Sequence, residues 1–205
     1  AEAVVYPFGY GLSYTDFMIQ TTDVWEEEDK INLLVRVTNI GKCAGKEVVQ
    51  VYYGAPQGKL QKPHRALYAF EKTQLLAPGE SRVISFVLDK KQMASYDDLG
   101  KIAKSAYVLE AGDYKLYVGT SVRDALELET VFHIEKDTVV EQLAQHLAPT
   151  ALKRRLLADG TYEVLPVSES NDMNACAFEK MLPGSEEAIV PQVRARDQWL
   201  LIKPY

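Results

Sequence analysis

The 205-residue sequence predicts a mainly β protein, a β-sandwich followed by a helical and irregular C-terminal arm. Short segments with alternating apolar residues recur from Thr15 to about Lys136, separated by turn residues. The apolar positions within a segment keep one parity, which gives each strand one face to bury. After Lys136 the spacing becomes helical and then loses any clear period.

Before the first strand lies YPFGYGLSYTDF, Tyr6 to Phe17, with five aromatics, two glycines and a proline. Gly9 and Gly11 permit unusual backbone angles and close approach, while Tyr6, Phe8, Tyr10 and Tyr14 carry the area available for burial. Such a segment is an irregular strap. Its rings either plug one end of the sandwich or dock on a neighbouring domain.

The strands follow as DFMIQTTDV, KINLLVRVTN, KEVVQVYYG, RALYAFEKTQLL, SRVISFVLD, SAYVLE, YKLYVGT and LELETVFHIE. Ile31, Leu33, Val35 and Val37 share one parity, as do Ile84, Phe86 and Leu88, and Tyr114, Leu116 and Val118. Pro78 and Gly79 suit the second and third positions of a type II turn, because proline presets φ and glycine tolerates a positive one. Asn39, Gly41 and Gly45 mark another connection. Tyr114 follows a glycine-containing turn, where a tyrosine corner would bond its hydroxyl to backbone around Leu109.

In the arm, Thr138 and Glu141 fit a capping box, and Val140, Leu143 and Leu147 recur at helical spacing, which predicts a helix in DTVVEQLAQHLA. Pro149 ends it, Thr150 caps a second short helix in ALKRRLLA, and Gly160 closes that one in the left-handed conformation. Residues 162–175 are mostly polar or small, and PQVRARDQWLLIKPY shows no period.

Composition excludes several classes. Hydrophobic residues at 47% and charged residues at 25% match ordinary globular usage, and no stretch approaches the roughly 18 apolar residues of a membrane span. A formal net charge of −6 disfavours nucleic acid; the densest basic cluster is Lys153, Arg154 and Arg155. Cys43 and Cys176 lie far apart, which predicts two free thiols in a reducing compartment and a cytoplasmic location. Ala1 is not an initiator methionine and no signal peptide is visible, so a fragment of a longer chain is expected.

Candidate chemistry is sparse. Glu26, Glu27, Glu28 and Asp29 beside Trp25 combine carboxylates with an aromatic that could stack on a sugar, but they fit a solvated loop tip better. Asp97 and Asp98 fit a turn. His64, His133 and His146 lack metal-type spacing to each other or to the cysteines. No phosphate loop, Gly-x-Ser-x-Gly elbow or Cys/His pair is present. Catalytic, cofactor-binding and metal residues are therefore expected to be none. Trp199 reads as an anchor against a neighbouring domain or, less simply, a binding platform.

Four segments carry a family resemblance: YPFGYGLSYTDF, VRVTNIGKCAGKEVVQVYYGAP, HRALYAFEKTQLLAPGESRVISFVL and VLEAGDYKLYVGTS. In that order, across residues 5–121, they resemble the fibronectin type III-like domain of glycoside hydrolase family 3, the β-glucosidase family. The resemblance implies an immunoglobulin/fibronectin type III-like sandwich over 15–136. It also implies a junction strap over 1–14 arriving from a preceding domain, and a linker arm over 137–205 leading to a following one. DTVVEQLAQHLAPTALKRRLLADGTYEVLP is similar to the linker of members with inverted domain order, the α/β domain first and the catalytic barrel last.

Family members are retaining glycosidases that need two carboxylates about 5–5.5 Å apart, an aspartate from the barrel and a glutamate commonly from the α/β domain. No segment here resembles either site. The parent is thus expected to hydrolyse β-glucosides or oligosaccharides without a cofactor, and this fragment to be inactive. Its partners are expected to be the α/β and barrel domains of the same polypeptide, reached through Tyr6, Phe8, Tyr10, Tyr14 and Trp199. The rival expectation is an autonomous carbohydrate- or protein-binding module using Tyr10, Tyr14, Trp25 or Trp199. A plain adhesive sandwich is a third.

Overall fold

The computed structural model describes residues 4–144, 153–157 and 159–165. They fall in two compact units, 1–145 and 146–205.

The described strands of the first unit begin with β1 (Phe17–Glu27), β2 (Lys30–Asn39), β3 (Val48–Gly54), β4 (Ala66–Lys72) and β5 (Ser81–Asp89). They continue with β6 (Ser95–Asp97), β7 (Ala106–Leu109), β8 (Gly112–Gly119), β9 (Leu126–Ile134) and β10 (Thr138–Gln142). One sheet has the order β1-β2-β5, the second β4-β3-β8-β9, and a small third β10-β7-β6; all pairings are antiparallel.

The parity seen in the sequence builds the core. Ile31, Leu33, Val35 and Val37 of β2 and Ile84, Phe86 and Leu88 of β5 pack in one cluster with Val49 and Val51 of β3 and Tyr114, Leu116 and Val118 of β8. Alternate residues of β3 and β8 point the other way. Tyr52 and Tyr117, directly paired across the two strands, form a smaller buried cluster with Ala125.

Both local expectations are met. Glu80 N donates to Ala77 O at 2.9 Å and Gly79 has φ of +81°, the geometry of a type II turn over Pro78-Gly79. Tyr114 stacks on Phe132 at 4.9 Å, and its hydroxyl donates to Glu110 O at 3.2 Å, one residue from the expected position. Burial pushes this phenol up to about 12.

The arm differs from the helical expectation. Thr138–Gln142 is strand β10, pairing Thr138 with Leu109 and Val139 with Val108. An open edge of β7 offers ladder hydrogen bonds to a segment that starts with three β-branched residues, and this outweighs the capping-box pattern. Leu147 and Pro149 lie outside the described residues. In the second unit, β11 (Arg154–Leu156) and β12 (Tyr162–Val164) form an antiparallel hairpin where the second helix was expected. Gly160 is left-handed as expected, with φ of +85°, but it closes a hairpin turn: Leu157 N donates to Thr161 O at 2.8 Å. The Arg154 guanidinium sits 4.3 Å from the Tyr162 ring centre across that hairpin.

Asp97, expected only as a turn residue, is fully buried and organises residues 98–104. Its carboxylate accepts from the backbone N–H groups of Gly100, Lys101, Ile102 and Ala103 at 2.7–3.0 Å. Burial pushes the carboxyl up, but the four donors together outweigh it, so it titrates below the ordinary carboxylate range. Such a depressed group contributes stability that is complete above the unfolded value of about 3.9 and is lost as pH falls through the folded one. Asp97→Ala should therefore lower unfolding free energy by about 3 kcal/mol at pH 7, leaving four donors without their acceptor. Urea titrations from neutral to acid pH should show the gap to wild type closing below about pH 4; a gap independent of pH would contradict this role.

Candidate functional site

The site suggested by the sequence is the strap, and its backbone is held while its rings are not buried. Phe8 and Gly9 occupy a tight turn in which Tyr10 N donates to Pro7 O at 3.0 Å, with Gly9 at φ of +80°. Gly9 O accepts from Gln50 Nε2 at 2.9 Å, and Phe8 O accepts from Val122 N at 3.0 Å. Further along, Val4 O accepts from Arg123 Nη2 at 2.7 Å. Gln50 also donates to Thr120 O and accepts from the Tyr52 hydroxyl, tying the strap to the outer-face cluster.

The side chains of the strap face solvent. Tyr6, Phe8 and Tyr10 are 69, 65 and 46% exposed, Tyr14 is fully exposed, and Tyr6 and Tyr10 meet in a tilted pair with 5.3 Å between ring centres. Val5 and Leu12, which the sequence did not single out, are exposed beside them. Their signal was available, since they are large apolar residues in the same irregular segment. The rings do not plug the sandwich. Trp199 lies outside the described residues.

At its C-terminal end the strap is anchored by Asn39, read in the sequence only as a loop marker. Fully buried, it accepts from Thr15 Oγ1 at 2.8 Å and Gly41 N at 3.1 Å, and donates to Cys43 O at 2.8 Å and Leu76 O at 2.9 Å. Gly41 is required for this packing, because a Cβ there would lie 2.1 Å from Thr15 Oγ1.

A second buried polar centre holds the loop between β3 and β4 beside the strap. The Glu110 carboxylate accepts from Lys59 N at 2.6 Å, from Leu60 N at 3.1 Å and from Lys62 Nζ. Lys62 completes its valence on Pro56 O at 2.7 Å and Leu60 O at 3.2 Å, and both charged side chains are 3% exposed. No sequence motif announces this pair, since its members are 48 residues apart.

The remaining candidates are dispersed. Trp25 is 38% exposed, and its indole N–H donates to Glu27 at 3.3 Å at the β1–β2 turn. Glu26 pairs with Lys90, and Asp29 with Lys91 at 2.6 Å; the hydrogen bond and charge of Lys91 hold the Asp29 carboxyl low. His133 bonds Asp113 at 2.7 Å, which holds its imidazole up; His64 lies beside the strap; His146 and Cys176 fall outside the described residues. Cys43 is exposed. Among the described residues no group of three His, Cys, Asp or Glu side chains is placed to hold a metal ion, and no helix is long and apolar enough to cross a membrane.

An antiparallel sandwich with an aromatic strap pinned by its backbone is the architecture in which the comparisons meet: part of it matches a fibronectin type III-like domain family, and the proteins similar to this chain are β-glucosidases. Residues 47–122 match the fibronectin type III-like domain family directly. The chain is 45% identical to β-glucosidase A of Butyrivibrio fibrisolvens, over 99% of this chain and 27% of that protein. It is similar to the structure of a β-glucosidase from Paenibacillus barengoltzii, with 47% identity and a TM-score of 0.68 over 78% of this chain and 19% of that one. For β-glucosidase 3B from Thermotoga neapolitana, solved with α-D-glucose, the identity is 38% and the TM-score 0.59, over 67% of this chain and 18% of that one. The chain thus spans about a quarter or less of these relatives.

Two outcomes follow from the geometry. Gly9→Ala would place a Cβ 2.0 Å from Gln50 Oε1 in a left-handed conformation that costs a non-glycine residue about 1–2 kcal/mol. Chymotrypsin should then cut the strap about tenfold faster, consistent with an opening about 1.4 kcal/mol easier, while the sandwich stays folded; an unchanged cutting rate would show that the strap is not held there. Lys62→Met strands the Glu110 carboxylate without its cation and should cost about 3–5 kcal/mol in urea unfolding. A loss below about 1 kcal/mol would mean that the pair does not carry the loop.

Proposed function

We propose that this chain is the non-catalytic brace of a family 3 glycoside hydrolase of β-glucosidase type. In this proposal the sandwich docks on the α/β and barrel domains of the same polypeptide and holds an active site assembled between them. The observation that carries it is the strap: four hydrogen bonds fix its backbone between Val4 and Tyr10, yet Tyr6, Phe8, Tyr10 and Tyr14 are left facing outward. Contiguous exposed aromatics on a fixed backbone are what a domain interface uses, because little ordering entropy remains to be lost on docking. Catalysis across a domain boundary needs reacting groups held within about half an ångström, which a rigid third body supplies.

The arm, in the same proposal, leads toward a following catalytic domain, as in the inverted domain order. Similarity to the Butyrivibrio protein covers 99% of the chain, which supports the arm as a feature shared with at least that β-glucosidase. Hydrolysis of terminal β-linked glucose by the parent is likewise a proposal, supported by the names of the relatives. The carboxylates for it would come from the neighbouring domains.

The test uses both the 205-residue chain and the parent polypeptide. The chain alone should release no product from aryl β-glucosides and give no heat with cello- or laminari-oligosaccharides. Replacing Tyr6, Phe8, Tyr10 and Tyr14 by serine in the parent should lower kcat/KM at least tenfold, about 1.4 kcal/mol of transition-state stabilisation. Unaltered kinetics would remove the brace; saturable sugar binding by the chain alone would favour the binding module instead.

A further inference from the structure

A groove of about 500 Å3 opens beside the strap. Val4, Pro7 and Phe8 line it from the strap, His64 and Arg65 from the segment just before β4, and Val122 from the β8–β9 connection, which is bonded to both. Arg123, which bonds the Val4 carbonyl, completes it. The lining is largely apolar, and among its described residues there is no carboxylate, although the chain carries a formal net charge of −6.

The walls are set before anything binds. On the strap side, Gln50 and Val122 fix the backbone of Gly9 and Phe8. On the other side, the Glu110–Lys62 centre fixes the loop that ends in His64 and Arg65. The Arg65 guanidinium lies 4.0 Å from the Tyr117 ring centre, and its Nη1 donates to Val122 O at 2.9 Å and Ala125 O at 3.1 Å. Those acceptors are neutral. The nearby Glu127, whose carboxyl is held low first by its hydrogen bond to Lys115 and also by the Arg65 charge, is already bonded to Lys115 Nζ at 2.6 Å. A cation is therefore held over an apolar depression.

We propose that this groove receives an apolar side chain flanked by a carboxylate, carried on a surface segment of a neighbouring domain of the same polypeptide. The inference rests on the interdomain role proposed above and names the chemistry of the docked segment. Charge complementarity selects this occupant. A neutral sugar brings no charge to meet the Arg65 guanidinium, and a second copy of this chain would bring the same net negative charge. Apolar contact supplies the affinity, while the carboxylate opposite Arg65 fixes orientation.

The test is photo-crosslinking in the full parent polypeptide, with p-benzoylphenylalanine placed in turn at His64, at Val4 on the opposite wall, and at Tyr14 outside the groove. The expected result is capture by both wall positions of one segment of a neighbouring domain, with Asp or Glu beside the captured apolar residue. Raising salt from about 0.05 to 0.5 M should cut the yield from position 64 about threefold while sparing that from position 14. The Val4 label reads the same occupant should the label at position 64 disturb its own wall. Capture of a segment without a carboxylate, or of a second copy, overturns the proposal. Capture from Tyr14 with none from either wall overturns it while leaving the interdomain role standing, and absence of capture from all three positions overturns both.

Discussion

One amide, that of Gln50, ties the central strand β3 of the sandwich to the aromatic strap. Its side chain is 6% exposed on β3, gives hydrogen bonds to Gly9 O and Thr120 O, and takes one from the Tyr52 hydroxyl. With both donors and an acceptor position used, the strap backbone reaches the sheet without leaving a buried group unpaired. The space beneath is already filled by Tyr52, Tyr117 and Ala125. The aromatic rings of the strap consequently have nowhere to go but outward. Exposed apolar area of this kind is unfavourable in water unless something covers it, so the same interaction that fixes the strap also creates the demand for a partner.

Three connections are built by a shared device, a buried polar side chain that hydrogen-bonds several groups of the loop at once. Asn39 gathers the end of the strap and residues 41–43, Asp97 gathers residues 100–103, and Glu110 gathers residues 59–62. Apolar alternation alone fixes strands and leaves the connections undetermined. A buried acceptor with every lone pair engaged gives a loop one conformation, because any other conformation strands a desolvated charge or amide. Rigid connections on a rigid sandwich are what a brace needs: a surface that holds position to a fraction of an ångström cannot be made of mobile loops.

Much of the fold was legible because β-strand burial has a period of two. All eight strands expected from parity are present, and the Pro78-Gly79 turn and the Tyr114 corner follow from residue types with narrow conformational demands. The missed strand β6 has only three residues, too few to display a period. For β10 the sequence held two competing signals, the Thr138 and Glu141 capping pattern and the β-branched run Thr138, Val139, Val140; only the open edge of β7, invisible in one dimension, decides between them. The β11–β12 hairpin had a readable cue in Asp159-Gly160, which was assigned to a helix end because Gly160 serves both purposes. Of the candidate site, the aromatic strap was legible as composition. Its anchors Gln50 and Asn39, and the Glu110 centre of the β3–β4 loop, were not, because their partners lie tens of residues away in the chain.

The central claim is that a neighbouring domain of the same polypeptide covers the strap. Hydroxyl-radical footprinting measures it most directly, by comparing side-chain oxidation in the isolated chain and in the parent. Phe70 on β4, 67% exposed and remote in sequence from the strap, serves as the internal reference. Oxidation of Tyr6, Phe8, Tyr10 and Tyr14 should fall severalfold in the parent relative to Phe70. Equal oxidation of the four rings in both forms would contradict the account, because rings that stay open in the whole protein brace nothing.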